Sequence, residues 1–202
     1  MKLSVSILGI KDDIEKIREI EKIRADYIHL DIMDGEFVSN KVAMFANYNK
    51  TLDIHLMVND VKEYIDKYKL LNPEYLTFHY EVVDNPKEII DYIHSLGIKA
   101  GISIIPITPV DSIIPYLKDI DLVLIMSVVP GKGGQTYIES STDKINKLYE
   151  LKQQYNYQIE VDGGINNETI KYVKNADIVV VGSYITKSEN YSEKIDEILL
   201  NN

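Results

Sequence analysis

Short apolar runs rich in β-branched residues alternate along the whole chain with longer stretches whose apolar residues recur every three or four positions. That alternation is the mark of repeated strand–helix units around a parallel sheet. Eight strands are predicted: Leu3–Leu8, Tyr27–Asp31, Leu52–Met57, Tyr75–His79, Lys99–Ile104, Leu122–Val128, Gln158–Val161 and Ile178–Val181. Seven of the eight intervals carry a helical pattern. Asn85-Pro86 with Glu88, and Thr108-Pro109 with Asp111, each place a capping side chain before a proline suited to the first helical position. The interval Ser39–Thr51 is the exception, short, aromatic-rich and poorly periodic, so its helix is expected to be stunted or missing. No Gly/Ser linker, charge block or solenoid-type repeat divides the chain, and one domain spanning residues 1–202 is expected. Right-handed crossovers between eight strands leave two arrangements, a closed (β/α)8 barrel or an open doubly wound sheet. Periodicity does not choose between them.

Composition narrows the function classes. The 202 residues fit one domain near the short end of the range for a closed barrel. At 45% hydrophobic the chain can form one large core, and no apolar run approaches the roughly 20 residues that cross a bilayer, so no membrane partner is expected. Cysteine is absent, which excludes disulfides, thiolate metal sites and thiol nucleophiles and suits a reducing compartment; a cytoplasmic location is expected. The formal net charge of −10 argues against a nucleic-acid surface, which needs clustered Lys and Arg. A phosphate bound here would be held mainly by backbone N–H groups.

Candidate chemistry gathers at the C-terminal ends of the predicted strands, where (β/α)8 enzymes place their active sites. The first strand supplies Ser6, the second His29 and Asp31, the third His55, and the seventh Asp162. Side chains two apart on a strand share a face, so His29 and Asp31 project together. Two imidazoles and two carboxylates from three strands then converge in a pattern that suits one divalent ion with open positions for substrate. A lone histidine at a strand end is more often a structural hydrogen bonder. Here three of the four histidines, His29, His55 and His79, end strands, while His94 lies on a helix and is expected at the surface. His79, with Glu81 after it in the same loop, reads either as a partner to a ligand or as a structural hydrogen bonder, and not as a ligand itself.

Glycine clusters follow the late strands: Gly131-Lys132-Gly133-Gly134 after the sixth, Gly163-Gly164 after the seventh, and Gly182-Ser183 after the eighth. Isolated glycines usually mean turns, but barrels commonly hold phosphate in these loops. Met33, Met57 and Met126, each at or just past a strand end, read singly as core filler and together as an apolar lining around a reacting carbon.

The segments Ser4–Leu8, His29–Gly35, Asp53–Val58, Met126–Gln135 and Glu160–Gly164 together resemble the ribulose-phosphate 3-epimerase family, and the match runs nearly end to end. The resemblance implies a single TIM barrel of the ribulose-phosphate-binding type. It implies that His29, Asp31, His55 and Asp162 hold one divalent metal ion (Fe2+, Zn2+, Co2+ or Mn2+), and that Asp31 and Asp162 are also the acid/base pair. By the same likeness Ser6 and His55 touch a small-molecule sugar phosphate, and Gly131, Lys132, Gly133, Gly134, Gly163, Gly164, Gly182 and Ser183 surround it and its phosphate. The implied reaction inverts carbon 3 of a ketose phosphate, D-ribulose 5-phosphate to D-xylulose 5-phosphate, through an enediolate.

The chain departs from the family at Val5 and Ser39, where Pro is usual, and at Glu36, Ile105, Val129 and Lys132, where His, Asn, a polar residue and Phe are usual. None of these is one of the four expected ligands. Two alternatives stay open: a hexulose-phosphate 3-epimerase of the allulose 6-phosphate type, and a non-catalytic sugar-phosphate-binding barrel. A related barrel decarboxylase is argued against, because Asp31-Ile32-Met33-Asp34 lacks the lysine of the Asp-x-Lys-x-x-Asp motif. A homo-oligomer is left open.

Overall fold

The computed structural model describes residues 1–201. Eight parallel strands close on themselves: β1 (Lys2–Ser6), β2 (Tyr27–Asp34), β4 (Leu52–Met57), β5 (Tyr75–His79), β6 (Lys99–Ile104), β7 (Leu122–Met126), β8 (Gln158–Asp162) and β9 (Ile178–Val181). Pairing of β1 with both β9 and β2 seals the barrel and rules out the open sheet. A two-residue strand, β3 (Lys41–Val42), adds antiparallel to the end of β2 and was not expected from the sequence. Its pairing to Met33 and Asp34, with that of Ile32 and Met33 to β4, carries β2 three residues past its expected end at Asp31. β1 stops at Ser6, and Leu8–Ile10 turns as a 3₁₀ helix.

Helices α1 (Ile14–Ile20), α2 (Val61–Tyr68), α3 (Pro86–Ser95), α4 (Ser141–Leu151), the short α5 (Ser183–Thr186) and α6 (Tyr191–Leu200) surround the barrel. Asp13, Asp60 and Asn190 cap α1, α2 and α6 by accepting from the backbone N–H three residues on. Asn85 and Pro86 stand at the start of α3 as expected, although the Asn85 side chain makes no capping bond. As anticipated, no helix forms between Ser39 and Thr51. Two further intervals expected to be helical hold only 3₁₀ turns. Thr108-Pro109 opens onto Val110–Ser112 and Ile114–Tyr116, where Pro115 lacks the amide an α-helix needs and crowds the preceding turn. In the interval after β8 only Ile170–Tyr172 turns: Asn166 accepts from the N–H groups of Glu168 and Thr169 as a cap does, but the turn it opens ends at Val173.

Strand alternation divides the interior in two. Outward residues such as Leu30, Ile54, Phe78, Ile102 and Val161 pack under the helices in the larger core. Inward residues Tyr27, Tyr75, Leu122, Leu124, Met126, Val128 and Ile178 form a smaller core inside the barrel. Tyr27 and Tyr75 meet edge to face, 6.0 Å apart, and fill the N-terminal end. Other inward positions, among them Ser4, Asp53, Thr77 and Glu160, are polar and buried. The polar side of the interior leads up to the C-terminal mouth, where the expected chemistry lies.

Candidate active site

Strand register sets the site. Ser6 pairs with His29, and Asp31 pairs with His55, so neighbouring strands bring their polar residues to nearly one level. Asp162 ends β8, beside Met126 of β7. One nitrogen or oxygen from each of His29, Asp31, His55 and Asp162 lies within 4.8 Å of the other three. The Asp31 Oδ1 atom is 3.5 Å from His29 Nε2 and 3.6 Å from His55 Nδ1, while His55 Nδ1 is 4.0 Å from Asp162 Oδ2. Donors about 2.0–2.2 Å from one tetrahedral ion stand roughly 3.3–3.6 Å apart, close to this spacing.

Two buried atoms in the cluster have no hydrogen-bond partner, His29 Nε2 and His55 Nδ1. Orphaned buried nitrogens are costly unless something else uses their lone pairs. Their rings are gripped from behind. Asp53 Oδ2 accepts from His29 Nδ1 at 2.7 Å and from Ser4 Oγ at 2.9 Å, and His55 Nε2 lies 2.8 Å from His79 Nε2. An imidazole anchored at one nitrogen with the other facing a shared point is the usual arrangement of a metal-binding histidine. The donor set and these two free atoms fit a divalent cation.

Charge in the cluster is unevenly shared. Burial pushes His55 down to about 4, so its ring is neutral. Burial opposes a charge on His29 too, but the Asp53 and Asp31 carboxylates on either side outweigh it and hold His29 well above the ordinary histidine range. The same contacts with His29, against the effect of burial, keep Asp31 well below the usual carboxylate range. Asp162 is pushed up to about 7, by burial first and then by the Asp31 charge. Beneath them Glu160 keeps its proton well above the usual range, through burial and the neighbouring Asp53 charge. A divalent cation held by these residues would take the place of the His29 proton.

Above the cluster opens a cavity of about 310 Å³. Asp31, Asp162 and Ser6 line its floor, Met33, Met57 and Met126 line its wall, and the three glycine loops with Lys132 and Ser183 close its far end. Ser6 Oγ donates to Asp31 Oδ2 at 2.7 Å. His29 and His55 lie behind the floor and have no exposed surface. The loop after β8 brings its backbone close to its neighbours: a Cβ on Gly163 would meet Val128 at 2.4 Å, and one on Gly164 the Tyr137 nitrogen at 2.4 Å. Both have positive φ, 121° and 68°. Ser127 Oγ donates to the carbonyls of Asp162 and Gly163 at 2.9 and 2.7 Å and fixes that turn. Gln135 Nε2 donates to the carbonyls of Val129 and Lys132, and Asn40 from the helix-free interval donates to Gly131 O at 2.7 Å.

Several of these residues were missed in the sequence. Asp53 and Glu160 are two positions before His55 and Asp162 on their strands, so the same-face rule that found the latter could have found the former. Ser127 and Lys187 carried no such signal. Lys187 lines the glycine end of the cavity, its Nζ 3.8 Å from where a Gly134 Cβ would stand, and with Lys132 it gives that end two cations. His94 is at the surface, 2.7 Å from Asp121.

Fold and site together define the class, a (β/α)8-barrel enzyme whose polar cluster lies at the C-terminal mouth. The chain belongs to the ribulose-phosphate 3-epimerase family: residues 2–186 match the family described as "Ribulose-phosphate 3 epimerase family". It is an enzyme acting on carbohydrates. A ribulose-phosphate 3-epimerase of Helicobacter pylori is 37% identical, covering 94% of this chain and 93% of the relative. One of Bacillus subtilis is 36% identical over 91% of this chain and 90% of its own length, and one of Methanocaldococcus jannaschii 38% over 85% and 77%. Among solved structures, KGPDC from Streptococcus mutans superposes with a TM-score of 0.68 at 12% identity, covering 99% and 96% of the two chains. The 3-hexulose-6-phosphate synthase of Salmonella typhimurium gives 0.63 at 16% identity, covering 100% and 98%. These last likenesses show the barrel alone. Among the described residues no helix is long and apolar enough to cross a membrane.

Proposed function

We propose that the chain interconverts D-ribulose 5-phosphate and D-xylulose 5-phosphate by moving protons between the substrate and two carboxylates, Asp31 and Asp162. The observation that carries this reading is the pair itself: two aspartates from strands on different sides of the barrel share one cavity floor, beside two histidine nitrogens that nothing else uses. Inverting a carbon next to a ketone needs a proton removed from one face and another returned to the opposite face, hence two groups. A divalent ion held by His29, Asp31, His55 and Asp162 would supply Lewis acidity, polarising the ketone and making the neighbouring C–H more acidic.

One aspartate breaks the carbon 3 C–H bond as its oxygen takes the proton. The bonding electrons move into the carbon 2–carbon 3 bond as the ketone oxygen gains charge, giving an enediolate. The other aspartate then protonates carbon 3 from the opposite face. Ser6, bonded to Asp31, orients that carboxylate. Met33, Met57 and Met126 make the wall beside the reacting carbon apolar, which discourages stray proton exchange with water. The phosphate reaches the backbone of the glycine loops at the far end, with Gly182 and Ser183 beside Gly133 and Gly134.

NMR of the reaction in heavy water tests this. The product is expected to carry solvent deuterium at carbon 3, and both Asp31→Asn and Asp162→Asn to lose net epimerisation. Substantial epimerisation in either folded, metal-loaded variant overturns the two-carboxylate reading. The same assay across ketopentose and ketohexose phosphates separates the pentulose reading from the hexulose one, and absence of turnover on all of them leaves a binding protein.

A further inference from the structure

We propose that Glu81 and His79 are positioning residues that fix the His55 proton on Nε2, so that Nδ1 faces the His29–Asp31–Asp162 cluster as a bare lone pair; this rests on reading that cluster as a metal site. Glu81, in the loop after β5, uses both carboxylate oxygens: Oε1 accepts from the backbone N–H of Ile105 at 3.0 Å, and Oε2 stands 3.1 Å from His79 Nδ1. Contacts including the His79 hydrogen bond hold Glu81 ionised despite its burial. An ionised carboxylate only accepts, so His79 Nδ1 carries a hydrogen.

The next contact is between two imidazole nitrogens, His79 Nε2 and His55 Nε2, 2.8 Å apart, in rings with no exposed surface. At that distance one hydrogen must lie between them, because two N–H groups repel and so do two lone pairs. The hydrogen on His79 Nδ1 is the one a neutral imidazole carries, and the ring has no exposed surface on which to carry a charge. The hydrogen in the gap therefore belongs to His55 Nε2. His55 Nδ1 has no acceptor within hydrogen-bond distance, Asp31 Oδ1 and Asp162 Oδ2 standing 3.6 and 4.0 Å away, so it carries no hydrogen. That atom is the orphan that faces Asp31 and Asp162. In the other tautomer an N–H would point at the cation and block the site. The Phe37 ring, 4.6 Å from His79, packs against this relay.

The two histidines of the cluster are thus oriented by different means. His29 is held directly by the carboxylate of Asp53, and His55 through an intervening imidazole whose carboxylate sits in a neighbouring loop. The choice lies between two neutral tautomers and involves no change of charge. Outer hydrogen-bond partners of metal-binding histidines typically contribute roughly 10–100-fold to metal affinity.

Histidine ¹⁵N NMR on the metal-free protein reads the tautomer, and titration with Zn2+ reads the affinity. Wild-type His55 is expected to show a hydrogen-bearing Nε2 and a bare Nδ1, with His79 carrying its hydrogen on Nδ1. In Glu81→Gln a single side-chain oxygen faces two N–H donors, Ile105 and His79 Nδ1. The expected result is a His55 Nδ1–H population and Zn2+ binding weaker by roughly 10–100-fold, with the far-ultraviolet circular dichroism unchanged. His79→Gln, whose side-chain carbonyl can still accept from His55 Nε2, is expected to keep Zn2+ affinity close to wild type. A hydrogen on Nδ1 of wild-type His55 overturns the proposal, and so do an unchanged tautomer and affinity in folded Glu81→Gln. If Glu81→Gln does not fold, the wild-type spectrum alone decides. If wild type shows the expected tautomer yet binds no Zn2+, the proton assignment stands and the metal reading falls.

Discussion

The two ends of the cavity are built from opposite materials. At the floor, titratable side chains from β2 and β4 are buried and that of Asp162 on β8 is partly so; they lie close together and are anchored by Asp53, His79 and Ser6. At the far end the lining is backbone from three glycine loops, with two exposed lysines, Lys132 and Lys187, that make no ion pair among the described residues. Buried charge at the floor interacts strongly because water is excluded, whereas exposed charge at the rim is screened. A single-atom change should therefore matter most at the floor, backbone crowding should matter at the loops, and a whole lysine should matter little.

Asp162→Asn sets the upper end of that scale. Its expected effect is a fall in kcat of roughly 10²–10⁴-fold with KM nearly unchanged, because one proton donor or acceptor is lost while the cavity keeps its shape. Steady-state kinetics on metal-loaded protein checks it, and an equal loss expressed in KM would place Asp162 in binding rather than proton transfer.

His55→Ala is expected next. Zn2+ binding should weaken by more than the roughly 10–100-fold typical of a lost outer hydrogen bond, with the fold retained because no apolar core contact depends on the ring. Metal analysis together with circular dichroism measures both, and unchanged occupancy would remove His55 from the site.

Glycine replacements separate crowding from function. Gly163→Ala places a methyl 2.4 Å from Val128 at a φ of 121°, so it should cost about 1–3 kcal/mol of stability and raise KM. Gly133→Ala meets nothing closer than Ser183 Oγ at 3.5 Å and should leave stability within about 0.5 kcal/mol. Thermal melts of the pair decide whether the difference follows the backbone. Smallest of all, Lys187→Ala and Lys132→Ala should each raise KM by the equivalent of about 0.2–1 kcal/mol, less at high salt, with kcat unchanged. A large, salt-independent effect of either would make that end a charge-based site after all.

The floor was far more legible in the sequence than its supports. His29, Asp31, His55 and Asp162 stood out because rare or charged residues at apolar strand ends break the pattern of their neighbours. Asp53 and Glu160 break it too, but each lies inside a strand, where an isolated acid suggests a register error rather than a buried polar layer. Lys187 follows a four-residue helix and reads as ordinary surface. In the fold, strands were found because each is a dense apolar run. The intervals holding Pro115 and Asn166 kept a helical apolar rhythm, and in the first of them proline geometry disallowed the helix. β3 is two residues long, too short to show a period at all.

The aromatic plug formed by Tyr27 and Tyr75 has a kinetic corollary. With the lower end of the barrel filled, arrivals and departures share the upper mouth on which the cavity lies. A spent molecule must back out before a fresh one can enter, so the two epimers exclude one another, and each should act as a strictly competitive inhibitor against its partner.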